Sequence, residues 1–145
     1  MTSPELYGTL TFPDVSKPDV LESSADGRRR MVRVRYEFTG SLDRMARRLI
    51  GQRRLVWIQE VVVEPVTNTG EFSFHAAADP RRLYGSGQFE LQGDNVRCIR
   101  RLSGELVVAA PLIGSRAERK LVPGVLRRLN IEAEAINNAL NTRRR

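Results

Sequence analysis

His75 and Cys98 are the one histidine and the one cysteine in a chain of 145 residues, and they bound the available chemistry at once. Metal sites draw three or four ligands from His, Cys and carboxylates at regular spacing, so this pair furnishes no zinc set. A lone cysteine also closes no disulfide within the chain. His75 stands in FSFHAAA on the face opposite Phe72, Phe74 and Ala76. With no Ser, Cys or carboxylate spaced to form a dyad, it is expected to be exposed or capping rather than catalytic. Cys98 falls in the alternating set Val96, Cys98, Arg100, Leu102, Leu106 and Val108 and is expected to be a small buried hydrophobe. Gly85 and Gly87 in LYGSGQF imitate a phosphate loop, but no helix N-terminus follows to hold an anion, which leaves a bulge or close packing. No metal and no cofactor is expected.

The remaining chemistry is that of an apolar wall with a few polar handles. Tyr36, Phe38, Trp57, Phe74, Leu102 and Leu106 lie on runs with strand alternation, and Leu121, Val125 and Leu129 recur at helical spacing. Together they are expected to line a hydrophobic cavity, while an ordinary core would have the same composition. Tyr36 and Trp57 can each offer one hydrogen bond inside such a wall. Arg100 shares its inward set with apolar residues. It therefore needs a partner, such as Glu60, Glu105 or an acidic ligand, or a route by which its head snorkels to water.

These residues must be positioned by a sheet and a helix. Residues 1–18 carry Pro4, Pro13 and Pro18 and are expected to be an irregular lead-in. DVLESS and RRRMVRVRYEF flank Ala25-Asp26-Gly27, a tight hairpin turn, and Val32, Val34, Tyr36 and Phe38 alternate with charged residues. LVWIQEVVVE, EFSFHAAA, LYGSGQFELQ and NVRCIRRLSGELVVA follow as four more β-rich runs with short turns between them. The spacing thus predicts an antiparallel meander of about six strands over 19–110, with a short amphipathic helix near 41–50 carrying Leu42, Met45, Leu49 and Ile50. Beyond Pro111 the period changes. Ala117, Leu121, Val125, Leu129, Ala133, Ile136 and Leu140 predict one helix over 115–141, about 40 Å long. Pro123 within it predicts a kink near 119–123, and Gly124 is expected to admit a close approach by sheet or ligand. The class is α+β, a single domain over 1–145.

RYEFTGSLDRMARRLIG, RLVWIQEVVVEP and above all GELVVAAPLIGSRAERKLV resemble an uncharacterised actinobacterial START-like family. It belongs to the helix-grip superfamily of birch-pollen allergen, polyketide cyclases and lipid-transfer domains. The resemblance covers about residue 13 to the last helix. It implies a small hydrophobic ligand, lipid or polyketide-like, held between sheet and C-terminal helix by a carrier or sensor. The alternatives it leaves are an enzyme of the cyclase, dehydratase or hydrolase sort in the same cavity, and a protein-interaction module. START-like domains open with a strand and a helix pair. Here SPELYGTLTFPDV resembles only the tail of the second helix, so an N-terminally truncated form is expected. The open sheet edge this leaves is one that a homodimer could cover.

The net charge of +7 comes from basic residues spread along the chain, not gathered in one tail. Arg116, Arg119, Lys120, Arg127 and Arg128 on the last helix are diluted by Glu118, Glu132 and Glu134 and lack interleaved aromatics. A solvated face is expected there rather than a nucleic-acid surface. No stretch approaches the roughly 20 apolar residues that cross a bilayer, and no signal-peptide pattern opens the chain. A soluble, cytoplasmic protein is expected.

Overall fold

The computed structural model describes residues 2–44, 47–48, 54–93 and 98–143. Six strands form one antiparallel meander in chain order: β1 (Asp19–Asp26), β2 (Arg29–Glu37), β3 (Val56–Glu64), β4 (Thr69–Ala76), β5 (Leu83–Gly93) and β6 (Cys98–Val108). A short helix, α1 (Pro4–Thr9), precedes them, and a 30-residue helix, α2 (Gly114–Arg143), follows. This is the α+β helix-grip arrangement. Of the short helix expected near 41–50, Met45, Leu49 and Ile50 lie outside the described residues.

Turn chemistry sets the register. The Asp26 side chain accepts hydrogen bonds from the backbone N–H groups of Arg29 (2.8 Å) and Arg28 (3.3 Å). Those two bonds hold its carboxyl below the usual range. Asn68, in the next tight turn, takes a left-handed φ of 55°, a conformation Asn tolerates better than most residues. Pairing then runs across the sheet with Val34 opposite Gln59, Tyr36 opposite Trp57, Gln59 opposite Phe74, Phe74 opposite Gly85, and Gly85 opposite Leu106. Because side chains alternate along each strand, Val32, Val34, Tyr36, Trp57, Phe72, Phe74, Phe89, Leu102 and Leu106 share one face. Arg33, Glu60, Ser73, His75, Ser86 and Glu105 share the other.

The first face carries the core. Val32, Val34, Tyr36, Val61, Val63 and Phe89 are buried there beneath Ile136 of α2. Leu6, Tyr7, Leu10 and Phe12, all from the expected irregular lead-in, close the same cluster. The expectation holds over 10–18 but not over 4–9, where Pro4 sits at the start of a helix and its missing N–H is no loss. The turn it starts then presents Leu6 and Tyr7 inward.

Helix α2 runs without interruption through Pro123 and Gly124 and does not stop at Val122. Pro123 faces solvent. Open space surrounds the position a Gly124 Cβ would take, which overturns the expected close approach there. At the other glycines the reverse holds. The Phe74 ring lies against Gly85 and the Phe72 ring against Gly87, at distances a Cβ would not permit. Close packing, with the strand unbroken, is therefore the role of LYGSGQF.

Cys98 is exposed, not buried. Strand parity places it on the inner face, but it pairs with Gly93 at the far end of the β5–β6 ladder, where no helix covers it.

Candidate functional site

The inner face divides along α2. Beneath the C-terminal half, Ile131, Ala135, Ile136 and Ala139 pack onto the buried cluster. On the N-terminal half Leu121, Val125 and Leu129 are only half-buried, as are Phe38, Trp57, Phe74 and Leu106 on the sheet side, with Trp57 packed against the edge of the buried cluster. Phe72 and Phe74 lie down across Gly87 and Gly85 instead of standing up toward the helix. That posture lowers the floor of this half. Lys120 in this stretch is tied to Asp43 by an ion pair of 3.1 Å.

Between the halves sits a polar cluster that four elements build together. Glu132 on α2 is 1% exposed. Arg100 on β6 (Nη1 to Oε1, 3.6 Å) and Arg128 one turn back on α2 (Nη1 to Oε2, 3.5 Å) pair with its two carboxylate oxygens. Both contacts are longer than the 2.7–2.9 Å typical of charge-assisted bonds. The Arg128 guanidinium lies 3.8 Å from the centroid of Phe12 and 5.0 Å from that of Tyr36, within reach of a cation–π attraction. Tyr36 stacks on Trp57 at 5.3 Å and meets Phe12 edge-on at 6.1 Å.

Hydrogen bonding in this cluster is incomplete. Among the described residues, the Tyr7 and Tyr36 hydroxyls and Nε and Nη2 of Arg128 are buried without a hydrogen-bond partner. The Tyr36 hydroxyl lies close enough to Arg128 to feel both its charge and a weak hydrogen bond, a contact that falls short of ordinary geometry. Burial, and then the negative charge of Glu132, push both tyrosines above the ordinary phenol range, so both stay neutral at physiological pH. Each unpaired buried polar group costs about 1–3 kcal/mol, which makes this the most expensive place in the core.

The residues singled out in the sequence therefore come together in part. Tyr36 and Trp57 are in ring contact, Leu102 packs on the core cluster, and Phe74 and Leu106 flank Gly85. Arg100 is largely buried, and its partner is Glu132. Neither expected protein partner serves, since Glu60 is held by Arg33 (2.6 Å) and Glu105 lies on the opposite face. Arg128 and Glu132, expected on a solvated face, are instead among the inward-facing residues. Leu126 (55% exposed) and Leu140 (47%) face solvent. Tyr7 and Phe12 carried no signal in a proline-punctuated segment. His75 is part-buried on the outer face, with Nδ1 3.2 Å from the Ala76 carbonyl oxygen.

Two hollows, of about 640 and 440 Å³, also mark the structure. Both lie on the outer face of the sheet, the larger lined by Glu60, Ser73 and Ser86 among others, the smaller by Glu64 and Arg101 among others, with Glu71 and Gln88 shared. They are open troughs of mixed lining rather than the apolar chamber expected under the helix. Among the described residues no group of His, Cys, Asp and Glu is placed to hold a metal ion, and no helix is long and apolar enough to cross a membrane.

The model of a family described as "protein of unknown function (DUF2505)" matches residues 12–140. The chain belongs to that family. No curated protein matches it.

Proposed function

We propose that the chain is a START-like helix-grip domain that binds a small hydrophobic molecule, of lipid or polyketide-like character, between the sheet and the N-terminal half of α2. It would act as a carrier or sensor. The observation that supports this is the half-burial of Trp57, Phe74, Leu106, Leu121, Val125 and Leu129 on facing elements. A facing apolar pair of surfaces that stops short of full packing is where an apolar guest gains most from burial. The test is native mass spectrometry of the purified chain followed by organic extraction. A bound apolar compound supports the reading. A chain that carries nothing and enhances no neutral hydrophobic dye contradicts it.

The second reading, an enzyme using the same cleft, draws on the convergence of Tyr7, Tyr36, Arg100, Arg128 and Glu132. It is the weaker one on chemical grounds. A general acid or base works best with a pKa near the operating pH, and both tyrosines are pushed away from it. The homodimer through a sheet edge belongs to the same proposal. β1 and β6 are the edges, and both carry charged residues, which discourage strand pairing. A clean monomer in light scattering would remove it.

A further inference from the structure

The polar cluster at the inner end of the cleft has a charge imbalance and a shape. Two guanidinium groups, Arg100 and Arg128, face one carboxylate, Glu132, so these three groups together carry one positive charge. All three are largely or wholly buried, with side-chain exposures of 16%, 18% and 1%. A buried charge is tolerated when it is paired and costly when it is not. The unpaired atoms of Arg128 are also specific. Nη1 is the nitrogen that meets Glu132, while Nε and Nη2 are the two without a partner. Those two N–H groups form the side edge of the guanidinium, a fork that fits both oxygens of a carboxylate or phosphate at once. The Tyr7 and Tyr36 hydroxyls, 1% and 0% exposed as residues, are the other two unpartnered groups of the same cluster.

We infer that the molecule taken by this cleft is an amphiphile with a single oxyanionic head group, seated on the Nε–Nη2 edge of Arg128 and on the hydroxyls of Tyr7 and Tyr36. The inference rests on the hydrophobic-ligand reading above and adds the head group to it. A monoanion brings the cluster to neutrality and gives acceptors to the free N–H and O–H donors. A neutral head group leaves the charge in place, and a cationic head group is repelled. The apolar body then extends past Trp57 toward Phe74, Leu106, Leu121 and Val125. The four unpaired atoms are screened from solvent in the free chain, so the head group reaches them only when α1 or the front of α2 moves aside. Pro123 lacks the backbone N–H that would tie it to the preceding turn of α2, which gives that front half a built-in point of give.

The experiment compares dodecanoate, dodecan-1-ol and dodecylamine, each below its micelle concentration, as displacers of the neutral fluorophore N-phenyl-1-naphthylamine from the full chain. Dodecanoate is expected to displace it at least tenfold more tightly than the alcohol, and the amine more weakly than either. In Arg128→Gln the acid-to-alcohol affinity ratio is expected to fall toward one. Should that variant fail to fold, Tyr36→Phe and Tyr7→Phe remove only an unpaired hydroxyl, and each is expected to lower the ratio about threefold or more. Dodecyl phosphate, run alongside, separates a phosphate source from a carboxylate one. Equal displacement by acid and alcohol, or an acid preference untouched in all three variants, overturns the head-group inference and leaves the apolar cleft standing. Failure of every amphiphile and of the fluorophore itself to bind overturns both.

Discussion

The two halves of the α2–sheet interface use the same kinds of residue to different ends. At the C-terminal half, Ile136 meets Val32, Val34 and Tyr36, and α1 with Phe12 seals the side, leaving these residues at most 9% exposed. At the N-terminal half, Leu121 and Val125 on the helix and Trp57, Phe74 and Leu106 on the inner face of the sheet all stay half-buried, and among the described residues Asp43 reaches this end through its ion pair with Lys120. The difference lies in what is added to the helix and sheet. One end has α1 as a third layer. The other has a floor lowered by glycines opposite Phe72 and Phe74. Apolar composition alone does not distinguish the fully buried half from the half-buried one; the third layer does.

The comparison can be broken by mutation. The largest effect is expected from Phe12→Ala at the sealed end, a loss of about 3–5 kcal/mol from cavity formation together with the lost contact to Arg128. Leu121→Ala at the open end is expected to cost less, about 2 kcal/mol, since part of its surface stays in water. Urea unfolding of the two variants checks the pair, and equal losses would erase the distinction. Next comes the boundary. Glu132→Gln keeps the shape but leaves two buried guanidinium groups without their anion, and is expected to cost about 3 kcal/mol. The same urea series measures it, and a neutral result would mean that the cluster is solvated in solution.

Smaller effects sharpen the picture. Gly124→Ala, in open space on a continuous helix, is expected to raise stability by about 1 kcal/mol through helix propensity. A loss on thermal unfolding would mean that something approaches that position after all. The smallest effect near neutral pH belongs to Tyr7 and Tyr36. Their folded-state pKa values are raised, so their contribution is fully present below the ordinary tyrosine value of about 10 and is lost as pH climbs beyond it. Unfolded tyrosines release their protons there while the buried pair keep theirs. Thermal melts across the alkaline range should therefore fall in the wild type and flatten in the Tyr7→Phe, Tyr36→Phe double variant.

Strands and the long helix were legible because their periods differ. Val32, Val34 and Tyr36 alternate in steps of two, while Leu121 and Val125 step by four. The phase of the helix was legible in most of its stripe, since Ala117, Leu121, Val125, Leu129, Ala133 and Ile136 are buried or half-buried and only Leu140 faces solvent. Arg128 and Glu132, which share the inward side, were not legible because charge ordinarily marks exposure. Their helical spacing with Val125 and Ile136 was the available signal, and their mutual pairing is what makes burial tolerable. Helix α1 was legible only through the family resemblance, in which SPELYGTLTFPDV matches the tail of a helix, and not through periodicity. Six residues containing a glycine and opened by a proline show no periodicity, and only tertiary packing of Leu6 and Tyr7 justifies the turn. For Arg100, the sequence exposed the need for a partner but not its location, since β6 and α2 meet only in the fold.

The most direct test of the cleft is a titration of the isotope-labelled chain with N-phenyl-1-naphthylamine, followed through its methyl resonances. Saturable shifts are expected at Leu106, Leu121, Val125 and Leu129, with Val32, Val34 and Ile136 unmoved. No saturable shift, or shifts centred on Val62 and the outer-face trough, would contradict the account.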